Sequence, residues 1–188
     1  MLITGKKIEL SPAQESNRII IYSWLTQSDL TSSMMGPPHY PDHPILSWEE
    51  FCNDYTPSFF NDSGNGKGRV FIITANNEDV GTVGYDLLDK QKDRVVLDIW
   101  MKSETYCGHG YGSDALNTFC NYIHKEYGIT NFIISPSARN KRAIAAYKKA
   151  GFEYIRILNK AEQEKEFGLS ECDDNVLMIK RLITTQSS

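Results

Sequence analysis

The sequence predicts a mixed α/β (α+β) fold, with a mostly antiparallel central sheet flanked by helices. Residues 70–101 alternate with a strand-like period between short polar turns, and residues 110–127 have helical spacing. Strand and helix then alternate up to residue 183. The 188 residues are 40% hydrophobic and 23% charged, which is ordinary globular composition. This length suffices for one buried core, so we expect a single domain over residues 1–188.

The first elements are predicted from local signals. Residues 7–10 have strand character, and Ser11 followed by Pro12 is predicted to open a helix, because serine caps helices and proline suits the first helical position. Residues 34–44 contain four prolines and are expected to form a loop. A Ser-x-x-Glu capping box at Ser47 predicts a second helix.

The rest of the chain is predicted to complete the sheet. Short connections between the strands at 70–75, 80–87 and 94–101 indicate an antiparallel meander. A helix then ends at Gly128, since glycine commonly stops a helix. The remaining predicted elements are a buried strand at 132–134, a helix at 140–150, strands at 152–158 and 176–183, and a charged, solvated connection at 159–174.

A glycine-rich turn precedes the helix of residues 110–127. It reads Cys-Gly-His-Gly-Tyr-Gly-Ser from Cys107 to Ser113. Alternate glycines permit positive φ and let successive N–H groups point into one concavity, to which the helix N-terminus adds its free N–H groups. The turn therefore suits a phosphate or pyrophosphate. A dinucleotide fingerprint would need a third glycine at Ser113, a Walker loop would need Gly-Lys-Ser/Thr, and a turn without a ligand stays an alternative.

A second pattern lies on the following helix, where Asn140, Ala143, Ile144 and Tyr147 share one face. A Gly-Phe pair follows at Gly151. Read together, the turn and this helix resemble the GNAT acetyl-CoA-dependent N-acetyltransferases over roughly residues 70–183, with similarity to the branch that acetylates aminoglycosides at the 6′ position.

The family's coenzyme pattern is Arg/Gln-x-x-Gly-x-Gly/Ala, and Cys107, Gly110 and Gly112 occupy it here. Cys107 is a departure, because the family usually has Arg or Gln at that position. The resemblance implies weaker coenzyme affinity but a retained site. A thiol at a helix N-terminus also suggests a nucleophile, which most of the family does not use.

The resemblance implies a fold with two functional parts. Residues 7–69 would hold the N-terminal strand, the helices and a loop that covers the acceptor, and residues 70–183 the coenzyme-binding sheet and helices. Acetyl-CoA would be the co-substrate, without a metal. Its expected binding residues are Met101, Cys107, Gly108, His109, Gly110, Tyr111, Gly112, Ser113, Asn140 and Tyr147.

Three of these residues have specific expected roles. Tyr147 would protonate the departing thiolate, with an aromatic plug between helix and sheet as the alternative. Asn140 would bind the pantetheine arm; helix capping is its alternative and is compatible with that binding. A bulge near Met101 would free a main-chain N–H to polarise the thioester carbonyl.

The acceptor amine would need a base, because an amine with a pKa of about 10.4 is only about one part in a thousand neutral at pH 7. Strand alternation places Asp98 and Trp100 on the face opposite the core. In the aminoglycoside branch a similar Asp lies on this strand, so Asp98 is predicted to be the base or the substrate anchor, and a surface ion pair is its alternative. Trp100 and Tyr40 are predicted to bind substrate, and Glu104 is a second possible base.

The composition and net charge limit the classes of partner that the protein is expected to bind. Twenty Lys+Arg against 24 Asp+Glu give a net charge of −4, which disfavours a dedicated nucleic-acid or membrane binder and weakly favours a cationic acceptor. His39 and His43 lie among prolines and lack a metal-binding frame. We expect a cytoplasmic monomer or homodimer that acts on a small-molecule or peptide amine. The alternatives are a protein N-terminal or lysine acetyltransferase and a non-catalytic acyl-CoA sensor.

Overall fold

The computed structural model describes residues 1–32, 45–61, 68–89, 91, 93–167 and 174–183. Within these ranges eight strands form one sheet in the order β1-β2-β3-β4-β5-β6-β8-β7. The strands are β1 (Ile3–Thr4), β2 (Glu9–Pro12), β3 (Arg69–Ala75), β4 (Glu78–Asp89), β5 (Arg94–Met101), β6 (Asn131–Ile134), β7 (Glu153–Ile157) and β8 (Val176–Arg181). The described α-helices are α1 (Arg18–Thr26), α2 (Trp48–Asp54), α3 (Tyr111–Tyr127), α4 (Lys141–Lys149) and α5 (Lys160–Phe167).

The sheet has a hydrophobic cluster on each face. On β3, alternate residues divide between the two clusters, since Phe71 and Ile73 belong to the larger one and Val70 and Ile72 to the smaller one. Helices α3 and α4 pack on the larger cluster, whereas α1 and α2 cover the smaller one. All neighbouring strands are antiparallel except β5 and β6. The predicted fold class is therefore confirmed.

The meander and the helix after the glycine turn form as predicted. Strands β3, β4 and β5 pair antiparallel in sequence order. Helix α3 has Gly110 as its N-cap and Gly128 as its C-cap, with φ of 87° and 75°. Its buried stripe packs into the larger cluster.

The predicted helix start at Ser11 and Pro12 is wrong, because both residues belong to strand β2. Pro12 pairs with Phe71 of β3, and Ala13 N–H donates to Val70 O at 2.9 Å. Backbone N–H groups alternate in direction along a strand, so the Pro12 nitrogen points away from β3. On that side β1 pairs only with Glu9 and Leu10, so Pro12 lies at an open edge, where proline is tolerated. The helical segment begins later, with a capping box between Gln14 and Asn17.

The charged connection predicted at 159–174 contains helix α5, so the absence of a regular element there is wrong over Lys160–Phe167, although much of the helix is exposed to solvent. Asn159 and Glu162 cap its start reciprocally, through hydrogen bonds of 3.0 and 2.9 Å. Gln163 is fully buried and pairs with Leu158 O and the Asn175 amide. A local cap and one buried amide therefore give a charged segment a helical structure.

Candidate active site

A gap opens in the sheet between β5 and β6. Their parallel pairing ends at Val96 and Ile133, whereas β5 stays paired with β4 as far as Met101. Lys102 N–H donates to Val80 O of β4 at 2.9 Å, and alternation then directs the Met101 N–H toward the gap. The predicted free N–H near Met101 is thus explained by strand divergence and not by a bulge there, since the β4–β5 register shift lies between Tyr85 and Leu88.

The glycine turn leads from the end of β5 to the start of α3. Gly108 and Gly110 have φ of 82° and 87°, as their predicted use of positive φ requires. Gly112 has no positive φ, and a Cβ added there would stand 3.9 Å from Ile99 Cδ1 and Met101 Sδ at the end of β5. A small side chain at Gly112 would therefore stand in ordinary contact with the end of β5, and only a larger one would crowd it.

The side chains of the turn mostly bond within it. His109 Nε2 lies 3.1 Å from Thr105 O, and its ring stacks on Tyr111 at 5.5 Å. Ser113 Oγ donates to Gly110 O at 3.0 Å. These contacts hold the turn in shape and engage its side chains. An anion bound at the turn would therefore be held by backbone N–H groups rather than by side chains.

Cys107 lies beside an ion pair between Arg142 and Glu104, whose closest atoms are 2.6 Å apart. Burial raises the pKa of the Cys107 thiol, with the Arg142 charge opposing it and Glu104 reinforcing it. A raised pKa disfavours a thiolate nucleophile. Glu104 itself is paired with a cation, which does not favour it as a base.

Sequence reasoning missed a lysine at the glycine turn. Lys7 lies in the turn between β1 and β2, and its Nζ donates to His109 O at 3.0 Å. Its N–H donates to Asp114 Oδ2 at 2.6 Å, in the first turn of α3. A Cβ on Gly110 would stand 3.5 Å from Lys7 Nζ. Positive charge is thus present at the turn although Cys107 supplies none.

Asp98 lies on β5 beside the gap, on the face opposite the larger cluster. Tyr55, just after α2, donates its hydroxyl to Asp98 Oδ2 at 2.9 Å. Asp98 is accessible to solvent, yet protein atoms surround it closely enough that desolvation raises the pKa of its carboxyl. Tyr55 and the Ile99 N–H oppose that rise, and the charge of Asp86 adds to it. The predicted surface ion pair is not seen among the described residues, where the hydrogen-bond partners of Asp98 are the Tyr55 phenol and the Ile99 N–H.

Further carboxylates lie near Asp98. Desolvation raises the pKa of Asp86, and the charge of Asp54 adds to that effect. Desolvation likewise raises the pKa of Asp54, and the charge of Glu50 raises it further. These groups form an acidic face that runs from α2 to β5, which the sequence does not reveal because its members are far apart along the chain.

Tyr147 on α4 is close enough to Asp98 for the two to interact electrostatically. Burial raises the pKa of the Tyr147 phenol, and the negative charge of Asp98 raises it further. The phenol therefore holds its proton at neutral pH, which is the form that a proton donor needs. Tyr147 also packs against the larger cluster, with its ring 6.4 Å from that of Phe152.

The remaining predicted residues have mixed outcomes. Asn140 Oδ1 accepts from Ala143 N–H at 3.0 Å, so Asn140 caps α4, a role that is compatible with its predicted contact to the pantetheine arm. Trp100 is only 7% exposed and packs edge-on to Tyr55 at 6.0 Å. Tyr40, His39 and His43 lie outside the described residues.

In the described part of the chain, no group of three or more His, Cys, Asp and Glu could hold a metal, and no helix is long and apolar enough to cross a membrane.

Two buried polar atoms near the gap have no hydrogen-bond partner among the described residues, Trp100 Nε1 and Ser135 Oγ. Buried polar groups are usually paired, and an exception commonly marks a place where a ligand or water completes the structure. The open backbone edge of β5 and the positive-φ turn together suit a long coenzyme with a phosphate end and an amide-bearing arm. The two unpaired atoms are further polar positions that a bound group could complete.

Comparisons with known proteins agree with this geometry. A family model described as an acetyltransferase (GNAT) domain matches residues 7–153. No curated protein is significantly similar in sequence. Among solved structures, the acetyl transferase that modifies the N-terminal serine of ribosomal protein L7/L12 from Salmonella typhimurium has a TM-score of 0.75 at 18% identity, covering 97% of this chain and 99% of that one.

Two further structures show the same fold with other bound molecules in their names. The aminoglycoside acetyltransferase AAC(6')-Ib with paromomycin and acetyl-CoA has a TM-score of 0.72 at 18% identity, covering 97% of this chain and 99% of that one. The microcin C7 self-immunity acetyltransferase MccE with acetyl-CoA and AMP has a TM-score of 0.70 at 19% identity, covering 94% and 93%. The family match extends over most of the chain and includes both predicted motifs, so the chain belongs to the GNAT family of acetyltransferases.

Proposed function

We propose that this acetyltransferase moves the acetyl group of acetyl-CoA directly to a primary amine of a small cationic acceptor. The observation that carries the proposal is that Asp98 lies on β5 beside the gap, near enough to Tyr147 on α4 for its charge to raise the pKa of the Tyr147 phenol. One carboxylate and one protonated phenol are the two groups that amine acetylation needs on opposite sides of the reacting carbon.

The coenzyme would be held by backbone groups. Its pyrophosphate would bind at the turn of Gly108, Gly110 and Gly112 and at the N-terminus of α3, with Lys7 nearby. Its pantetheine arm would follow the open edge of β5, where the Met101 N–H is directed to the gap. When bound, acetyl-CoA supplies the acetyl group as an activated thioester.

The protein's own residues would carry the protons. Asp98 would accept a proton from the acceptor ammonium or hold it in place, since a raised pKa brings its carboxyl nearer to the range useful for a base. Tyr147 would donate its phenolic proton toward the leaving sulfur. Cys107 has no covalent role in this scheme, because burial raises the pKa of its thiol.

The acidic face supports a cationic acceptor. Asp86 and Asp54 add negative charge beside Asp98, and the chain as a whole is acidic, with a net charge of −4. Negative charge near the site would attract ammonium groups. It would equally disfavour nucleic acid and anionic membranes as partners.

We propose a single cytoplasmic domain that works as a monomer or homodimer.

A protein N-terminus is the second candidate acceptor. It is favoured by the structural similarity to the enzyme that modifies the N-terminal serine of L7/L12. A screen for coenzyme A release separates the candidates, with polyamines, aminoglycosides, free lysine and peptides of varied N-terminus as acceptors. Activity on peptides alone would contradict the small-molecule proposal, and coenzyme binding without turnover on any amine would favour a sensor.

Filling the turn should weaken coenzyme binding. Gly110→Val is expected to lower coenzyme A affinity at least about tenfold, near 1.4 kcal/mol, by adding bulk and by straining a residue with positive φ. Gly112→Val adds bulk at a position without positive φ and should also weaken binding. Calorimetry measures both, and Gly128→Ala is the control, because it strains the other end of α3. Unchanged affinity in both turn variants would contradict the phosphate site.

Restoring the family residue should tighten coenzyme binding. Cys107→Arg is expected to raise coenzyme A affinity modestly, by about two- to fivefold, because a guanidinium binds phosphate oxygens with two parallel hydrogen bonds. Titration calorimetry at two salt concentrations checks this, since an added phosphate contact should increase the salt dependence. Equal or weaker affinity would mean that Cys107 does not stand at the family's Arg/Gln position.

A further inference from the structure

Ser135 is the residue that follows β6, and its hydroxyl is buried without a hydrogen-bond partner among the described residues. Such a group loses its bonds to water on folding and gains nothing in return, so it is costly to keep. A chain retains a feature of this kind most readily where something else completes the bond.

The strand register places Ser135 near the reaction. Val96 pairs with Ile133, and the same register extended by two residues sets Ser135 level with Asp98, on the other side of the gap. Phe132 and Ile134 belong to the larger cluster, so alternation puts Ser135 on the opposite face, which is also the face of Asp98. Pro136 favours an extended backbone at the residue before it, which preserves this alternation.

Ser137 shows that the same segment can satisfy a buried serine. It is 7% exposed, and its Oγ contacts both carboxylate oxygens of Asp174, at 2.9 and 3.1 Å. It also accepts a hydrogen bond from Arg139 N–H at 3.3 Å. Two residues earlier, the Ser135 hydroxyl is also buried but has no comparable partner in the described part of the chain, so the two serines differ in how their hydroxyls are satisfied.

We propose that the Ser135 hydroxyl contacts the acceptor amine, opposite Asp98. This inference rests on the proposed function. An ammonium group has three N–H bonds, and two of them would go to the Asp98 carboxylate and to Ser135 Oγ. Once Asp98 holds one proton, the bond to Ser135 orients the nitrogen so that its lone pair is directed into the gap. Ser135 is therefore a binding and orienting residue and forms no covalent bond.

The test compares Ser135→Ala with Ser137→Ala. Ser135→Ala is expected to unfold at the same or a higher temperature than the wild type, because it removes an unpaired buried group. Its coenzyme A affinity should stay within about twofold, and its kcat/KM for an amine that the wild type accepts should fall about tenfold or more. Ser137→Ala should show the reverse pattern, with a lower unfolding temperature and nearly unchanged kinetics.

Three results with the Ser135→Ala variant would overturn the inference. Wild-type kcat/KM in Ser135→Ala would remove Ser135 from the site. Loss of stability and activity in proportion would indicate a structural residue, and a selective loss of coenzyme A affinity would indicate a coenzyme contact. A wild type that binds coenzyme A but acetylates no amine overturns the proposed function, and the role of Ser135 falls with it. An active wild type with an equally active Ser135→Ala overturns the Ser135 role alone.

Discussion

Asp98→Asn should lower kcat/KM at pH 7 by about 10²–10⁴, the usual range for the loss of a general base. Asparagine keeps the shape of the side chain and can still accept the hydrogen bond from Tyr55, so that the variant removes charge and proton affinity alone. The deficit should shrink as the pH approaches the pKa of the amine itself, because the acceptor then needs no base.

The pH profile separates the two roles of Asp98. A base produces an acidic limb in kcat/KM, and here desolvation and the charge of Asp86 place that limb above the ordinary pKa of an aspartate, with Tyr55 and the Ile99 N–H opposing the shift. The limb should disappear in Asp98→Asn. An anchor instead raises KM for cationic acceptors and leaves kcat almost unchanged. If neither constant moves, Asp98 is not part of the site.

A neighbouring carboxylate provides the matched control. Asp86 adds negative charge near Asp98, whereas Asp98 is the carboxylate that accepts the hydrogen bond from Tyr55. Asp86→Asn should raise KM for cationic acceptors a few-fold and keep kcat. An equal loss of kcat/KM in both variants would mean that the acidic face acts through its total charge.

Stability gives an independent readout of Asp98. A carboxyl whose pKa is raised on folding contributes stability at low pH, where it is protonated, and this contribution is lost as the pH rises through the folded pKa. Asp98→Asn should therefore unfold at an equal or higher temperature than the wild type at pH 7, and the difference should fade at acidic pH. A variant that is both less stable and less active would point to a structural role.

The sequence predicted those parts of the site that depend on local signals. Positive φ at Gly108 and Gly110 follows from glycine at alternate positions, and the spacing of Asn140 and Tyr147 follows from a helical period. Strand alternation likewise placed Asp98 on the face opposite the larger cluster, although that face carries a smaller cluster with Trp100 in it. Each of these features depends on residues that are close together in sequence, within about two helical turns or within a single strand.

Features that need distant partners were missed or misjudged. Tyr55 contacts Asp98 across 43 positions, and Lys7 contacts His109 across 102, so no local pattern reports them. The gap beside Met101 depends on where two parallel strands separate, which the strand's own sequence does not record. At Pro12, a good helix-start signal was overridden by pairing with β3.

Tyr147→Phe is expected to lower kcat by about 10²-fold or more, because it removes one proton donor and keeps the ring that packs against the larger cluster. Coenzyme A affinity should stay within about twofold. Since the donor acts only as the leaving sulfur gains charge, kcat and kcat/KM should fall by similar factors. Single-turnover rates together with calorimetry measure these quantities directly.

The alternative for Tyr147 is a packing role, and stability distinguishes the two. Tyr147→Phe keeps almost all of the buried apolar surface, so the proton-donor role predicts an unfolding temperature close to that of the wild type. Tyr147→Leu removes the ring and should lower both stability and activity. Burial and the Asp98 charge raise the pKa of the Tyr147 phenol, so the loss of activity at high pH that follows its deprotonation should lie above the ordinary tyrosine range. This basic limb of the pH profile should move to lower pH in Asp98→Asn, where that charge is absent. A basic limb that stays in place in Asp98→Asn, or a Tyr147→Phe variant whose stability and turnover fall together, would assign Tyr147 to the core and not to the chemistry.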